Sequence, residues 1–125
     1  MTAHPEFKPR KIKFKAWDTE SKLLMRLNSI ECNKGELFKK DHILLQFTGM
    51  FDLNGDEIYE MDTLLVSNEK FVVYWNAEQN GWFHYPLKNP ANRQIFLAEQ
   101  ALKMTRLGNF FELTFPPDPR EKRRR

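Results

Sequence analysis

Polar and apolar residues alternate over Lys11-Ile12-Lys13-Phe14-Lys15-Ala16, the period of a half-buried strand, so the pattern predicts Ile12, Phe14 and Ala16 on a core face. Trp17 follows, Asp18-Thr19-Glu20-Ser21 reads as a polar turn, and residues 22–27 as the returning strand. Asn33-Lys34-Gly35 marks another turn. Residues 42–47 form an apolar run too short to assign by period, and flanking turns favour strand. Asn54-Gly55 sits between two apolar runs and predicts a hairpin with a type I′ turn, whose two central residues need positive φ. Residues 57–60 form its return arm.

Residues 63–66 then read as a strand and Ser67-Asn68-Glu69-Lys70 as a turn. Phe71-Val72-Val73-Tyr74-Trp75 is wholly β-branched or aromatic, the strongest strand signal in the chain. Residues 76–81 read as a loop and 82–85 as a return strand that ends in Pro86–Pro90. Asn92 can cap a short helix reaching about Gln100, and Leu102 and Met104 alternate as a closing strand. Gly108-Asn109 reads as a turn, residues 110–115 as extended, and Pro116-Pro117-Asp118-Pro119 ends regular structure. Many short strands between frequent turns predict a mainly β fold: a small barrel or sandwich of short antiparallel strands with one short C-terminal helix. The strands at 11–17, 42–47 and 71–75 are expected to build one core sheet, with Ile12, Phe14, Phe47 and Val73 buried.

The length of 125 residues suits one domain, read as a flexible basic arm (1–10), a β domain (11–115) and a Pro-containing basic tail (116–125). Eleven Phe, three Trp and three Tyr exceed the needs of one small core, which points to a surface role for some of them. Residues 1–15 carry five Lys or Arg against one Glu, and residues 116–125 carry five against two acids. The stretch between holds ten bases and fourteen acids, so both ends are basic and the centre is acidic. Such ends suit nonspecific phosphate contacts by Lys11, Lys13, Arg120, Lys122, Arg123, Arg124 and Arg125, and equally a solubilising role. No apolar run approaches a membrane span and residues 1–10 hold no apolar signal segment, so the expected location is the cytoplasm. The single Cys32 has no partner for a disulfide or metal spacing and reads as a structural thiol; no cofactor is expected.

Asp52, Asp56, Glu57, Glu60 and Asp62 form the sharpest charge cluster, and residues 51–63 contain no base. Asp52, Asn54 and Asp56 fit the first positions of a calcium loop, but Glu57 and Thr63 stand where the loop needs Gly and Glu. Solvated carboxylates near a hairpin tip are the expected reading, with a cryptic hydrolase as the alternative chemistry. His4, His42 and His84 lie near no nucleophile elbow, and there is no phosphate-binding Gly loop. An enzyme is not expected.

Three segments carry a resemblance. They are Lys13-Phe14-Lys15-Ala16-Trp17-Asp18; then Gln46-Phe47-Thr48-Gly49-Met50-Phe51-Asp52 with Asn54-Gly55 and Ile58-Tyr59-Glu60; and Leu107-Gly108-Asn109-Phe110-Phe111-Glu112. In this order they resemble the YopX family of bacteriophage and prophage proteins, whose patterns read Lys-Phe-Arg-Ala-Trp-Asp, Gln-Tyr-Thr-Gly-Leu-Lys-Asp with Asn-Gly and Ile-Tyr-Glu-Gly-Asp, and Ile-Gly-Asn-Ile-Tyr-Glu. The resemblance implies a mainly β protein that self-associates and carries no established catalytic residues. The chain departs from the pattern at Met61, where the family has Gly, at Thr63, where it has a hydrophobic residue, and at Phe51, where it has Lys. The resulting expectation is a non-enzymatic accessory protein that binds itself and a host, defence or phage protein. Phe51, Tyr74, Trp75, Trp82 and Tyr85 are its candidate contact residues. A nucleic-acid-associated module using the basic ends is the alternative.

Overall fold

The computed structural model describes residues 6–116. Eleven strands and two short helices occur among these residues. In chain order they are β1 (Phe14–Asp18), β2 (Leu23–Arg26), β3 (Glu31–Asn33), β4 (Glu36–Phe38), β5 (His42–Phe51), β6 (Glu57–Tyr59), β7 (Asp62–Val66), β8 (Glu69–Asn76), β9 (Gly81–Pro86), β10 (Gln94–Ile95), α1 (Ala98–Ala101), β11 (Thr105–Asn109) and α2 (Phe110–Thr114). They form a four-stranded sheet in the order β2-β1-β5-β6, a five-stranded sheet in the order β10-β9-β8-β7-β11, and the separate β3–β4 hairpin. All recorded pairings are antiparallel. The mainly β fold read from the sequence is therefore present, with two short helices in place of one.

The chain changes sheets at Glu60–Met61. Glu60 N–H donates to the Gln46 carbonyl on β5, and the next N–H, of Met61, donates to the Val73 carbonyl on β8. This corner separates strands expected in one sheet: β1 and β5 lie in the first and β8 in the second. Met61 takes the left-handed φ of +67° although it carries a side chain. The turn geometry is thus kept where the YopX pattern has Gly, at a backbone cost of order 1 kcal/mol.

Ile58 of β6, Leu64 of β7, Val73 of β8, Phe96, Ala101 and Met104 pack as one buried cluster, with Met50, Phe71 and Trp82 against it. α1 and its flanks close this core. The expected helix from Asn92 does not form, since Gln94-Ile95 instead pairs with Phe83-His84 on β9 and leaves only four residues for α1. Residues 110–115 are not extended either. Asn109 caps α2 by accepting the Phe111 N–H at 3.1 Å, and one turn is too short to show a helical period.

Of the four core residues expected, Phe47 and Val73 are buried, Phe14 is half-buried, and Ile12 is 59% exposed. The alternation extends past the point where strands pair, because β1 begins at Phe14 and the β2 partner ends at Arg26 opposite Lys15. Ile12 therefore projects beyond the sheet. The Asn54-Gly55 hairpin forms with a different turn. Gly55 N–H donates to the Asp52 carbonyl and Asp52 N–H to the Asp56 carbonyl, enclosing a three-residue loop in which only Gly55 has positive φ, +82°. The two-residue turn with both φ positive occurs instead at Ser67 (+48°) and Asn68 (+66°), between paired Val66 and Glu69.

Candidate functional site

The acidic segment is built into the fold. Asp52 and Asp62 are buried to 1% and 0% exposure, so the expectation of solvated carboxylates fails for these two. Asp52 Oδ1 accepts the N–H groups of Asn54 and Asp56, each at 2.8 Å, which closes the hairpin loop. Its Oδ2 accepts the N–H of Arg106 at 2.8 Å, which ties that loop to β11. Burial alone would push this carboxyl up, but the three N–H donors outweigh it and hold the group below its ordinary value.

Asp62 opens β7 and faces β11. Its Oδ2 accepts the Tyr59 N–H at 2.7 Å and Arg106 Nε at 2.8 Å, and its Oδ1 accepts Asn109 Nδ2 at 3.2 Å. Burial pushes the Asp62 carboxyl up, against the opposing pull of Arg106, the Tyr59 N–H and the Asn109 amide. Asn109 Nδ2 also donates to the Glu60 carbonyl at 3.1 Å. A register shift between Arg106 and Gly108 re-aims the strand beside this network. Every oxygen of the Asp52 and Asp62 carboxyls is thus engaged by the protein itself. Their chemistry is structural charge neutralisation and loop closure.

Arg106 and Asn109 are the partners the sequence reading missed. The available signal was conditional: with no base from 51 to 63, any carboxylate of that segment that is buried takes its neutralising charge from elsewhere in the chain.

The five candidate aromatic contact residues are divided between surfaces. Strand register pairs Trp75 with Trp82 on one face of the second sheet, with ring centroids 5.1 Å apart. Tyr74 and Tyr85 fall on the other face, 5.6 Å apart. Trp82 packs on the buried cluster, leaving Trp75 as the exposed member of its pair. Phe51 is exposed at the far end of β5. Among the proposed phosphate contacts, Lys11 is exposed, whereas Lys13 is ion-paired with Glu57 Oε2 and lies over the Phe47 ring. Arg120, Lys122, Arg123, Arg124 and Arg125 lie outside the described residues, as does His4.

His84 is buried against Phe71 and Phe96, and its Nδ1 lies 3.1 Å from the Gln94 carbonyl; burial lowers its proton affinity. His42 Nε2 lies 3.6 Å from Asp18 Oδ2. Among the described residues no group of His, Cys, Asp and Glu is arranged to hold a metal, and no helix is long and apolar enough to cross a membrane. Cys32 is exposed on β3.

Two surface features remain. The β3–β4 hairpin is exposed along both strands, including Leu37 and Phe38, and stands beside a cavity of about 360 Å³ lined by Ile12, Phe14, Leu27, Ile30 and Leu37. A second, polar cavity of about 360 Å³ opens beside Arg106.

The motif residues gather at this corner. Asp52, Gly55, Asp62, Gly108 and Asn109 either make the carboxylate network or shape the turns around it. A family model described as YopX protein matches residues 7–112. The chain belongs to the YopX family. The second and third segments of the YopX pattern thus meet where the two sheets join, and their residues hold that junction. Among solved structures, the chain is similar to the crystal structure of protein EF1440 from Enterococcus faecalis, at 19% identity and a TM-score of 0.58, over 86% of this chain and 98% of that one. That likeness is one of fold. No curated protein matches the chain.

Proposed function

We propose that this YopX protein is a non-enzymatic phage or prophage accessory protein of the host cytoplasm that acts by binding proteins, its own second copy among them. The observation that carries this reading is the β3–β4 hairpin. A two-stranded hairpin with no third strand is marginal by itself, and open strand edges template pairing. Here it presents Leu37 and Phe38 to solvent beside an apolar cavity floored by Ile12 and Phe14. An exposed apolar patch of this kind suits a protein contact. The engagement of Asp52 and Asp62 within the fold also favours binding over a carboxylate-based hydrolysis.

Sedimentation velocity at micromolar concentration tests the reading. The wild type is expected to run larger than the 15.0 kDa chain, and the Leu37→Lys, Phe38→Lys double variant to run as that single chain. A wild type that stays at chain mass at all concentrations would defeat self-association. If affinity capture from nuclease-treated host lysate then also returned no specific protein, the binding reading itself would fall.

A further inference from the structure

The polar cavity beside Arg106 gathers positive charge against an energetic penalty. Lys15 on β1 pairs directly with Arg26 on β2, so the two side chains share one face of the first sheet. Like charges directly opposite on antiparallel strands destabilise a sheet. Arg106 reaches the same cavity from β11, adding a third cation from the second sheet. Lys15 Nζ stands 4.4 Å from the centroid of the Tyr59 ring, which fixes it against the cavity wall. Neither Lys15 nor Arg26 forms an ion pair with a carboxylate among the described residues, whereas Arg106 is paired with Asp62 through Nε at 2.8 Å and Nη2 at 3.4 Å, so Lys15 and Arg26 are the cations left to a ligand's charge and Arg106 adds its remaining N–H donors. Two carboxylates, Asp56 and Glu57, also line the cavity, and Glu57 is already neutralised by Lys13.

We propose that this cavity binds a small phosphate monoester carried on a hydroxylated body, such as a sugar phosphate. Lys15, Arg26 and Arg106 face the phosphoryl oxygens, and Asp56 and Glu57 accept hydroxyl groups of the body. The volume exceeds that of a bare oxyanion and falls in the range of small-ligand pockets. Half-burial lowers the proton affinity of Lys15, and Arg106 and Arg26 act in the same direction against the opposing pull of Asp62 and Glu112. A bound dianion would offset the repulsion from the two arginines. This inference stands independently of the β3–β4 surface, which lies on other residues.

Thermal unfolding in low salt tests it, with ribose 5-phosphate and inorganic phosphate as probes, and ribose and sodium chloride of matched ionic strength as controls. A ligand that binds only the folded state raises the melting temperature saturably. The expected result is a saturable rise with ribose 5-phosphate, smaller with inorganic phosphate, and none with either control. Arg26→Gln alters an exposed side chain, and it should weaken the response at least tenfold in concentration while raising the ligand-free melting temperature. Lys15→Met should do the same, and Arg26→Gln alone decides if that variant does not fold. An increase matched by sodium chloride, or undiminished in Arg26→Gln, would overturn the site. Equal responses to the two phosphates would overturn the role given to Asp56 and Glu57.

Discussion

A carboxylate can stay ionised inside a protein when N–H groups replace the water it has lost, and Asp52 is held in this way. Its unfolded value is close to 3.8 and its folded value is lower. Between the two, the unfolded chain binds more protons, so stability rises with pH. The contribution is complete above the unfolded value and disappears as pH falls through the folded one. Asp18 and Glu57 shift in the same direction, the first through hydrogen bonds from Ser21 and the second through Lys13. Asp62 and Glu60 are raised by burial and act in the opposite sense, favouring the folded state when protonated. Asp52→Asn replaces one acceptor oxygen with a donor and leaves a backbone N–H unpaired, at a cost of about 1–3 kcal/mol. Urea unfolding from pH 7 to pH 3 should show this loss at neutral pH and a shallower acid decline than in the wild type. An unchanged acid decline in Asp52→Asn would remove Asp52 from the account.

At the scale of elements, turn chemistry separates what can be read from a sequence from what cannot. Asn54-Gly55 identifies a hairpin correctly, but Asp52 captures the Asn54 and Asp56 N–H groups and turns the connection into a three-residue loop. That competition comes from a side chain outside the dipeptide, so the dipeptide alone does not reveal the turn type. Ser67 and Asn68 hold the left-handed pair instead, and Ser is poorly suited to it. The double substitution Ser67→Asn, Asn68→Gly should stabilise the β7–β8 hairpin by roughly 0.5–1 kcal/mol. The urea midpoint should rise with an unchanged slope. A lower midpoint would mean that the native side chains contribute contacts beyond the turn. The β8 strand was legible because its five central residues are all strand formers. α2 was not, because a single turn rich in Phe has neither a helical period nor helix propensity to announce it. β10 was hidden for a related reason: two residues carry no alternation, and only pairing with Phe83 and His84 makes them a strand.

Across the whole molecule, the buried Arg106–Asp62 ion pair joins segments 44 residues apart. Arg106 on β11 holds Asp62 at the corner where the chain leaves the first sheet, and its own backbone N–H holds the Asp52 loop. Each motif was legible as a string, but their meeting was not, since nothing local in Gly108-Asn109 names residues 60 and 62 as its partners. The energetics of the junction are those of a buried charge. Removing only the cation leaves the buried Asp62 carboxylate with its Tyr59 and Asn109 hydrogen bonds but no counter-charge, which costs about 3–5 kcal/mol. Arg106→Met should therefore unfold at markedly lower urea than the wild type at pH 7. Arg106→Met combined with Asp62→Asn removes the orphaned charge along with the cation, and should recover part of the loss. The coupling between the two sites is expected to fall at about 0.5–3 kcal/mol, the range for residues in direct contact. The same cycle at pH 3.5 should give a smaller coupling, because burial raises the Asp62 carboxyl and its protonated form needs no cation. Additive losses at both pH values would mean that the packing of Ile58, Leu64 and Val73 alone holds the two sheets together, with Arg106 serving only the cavity it borders.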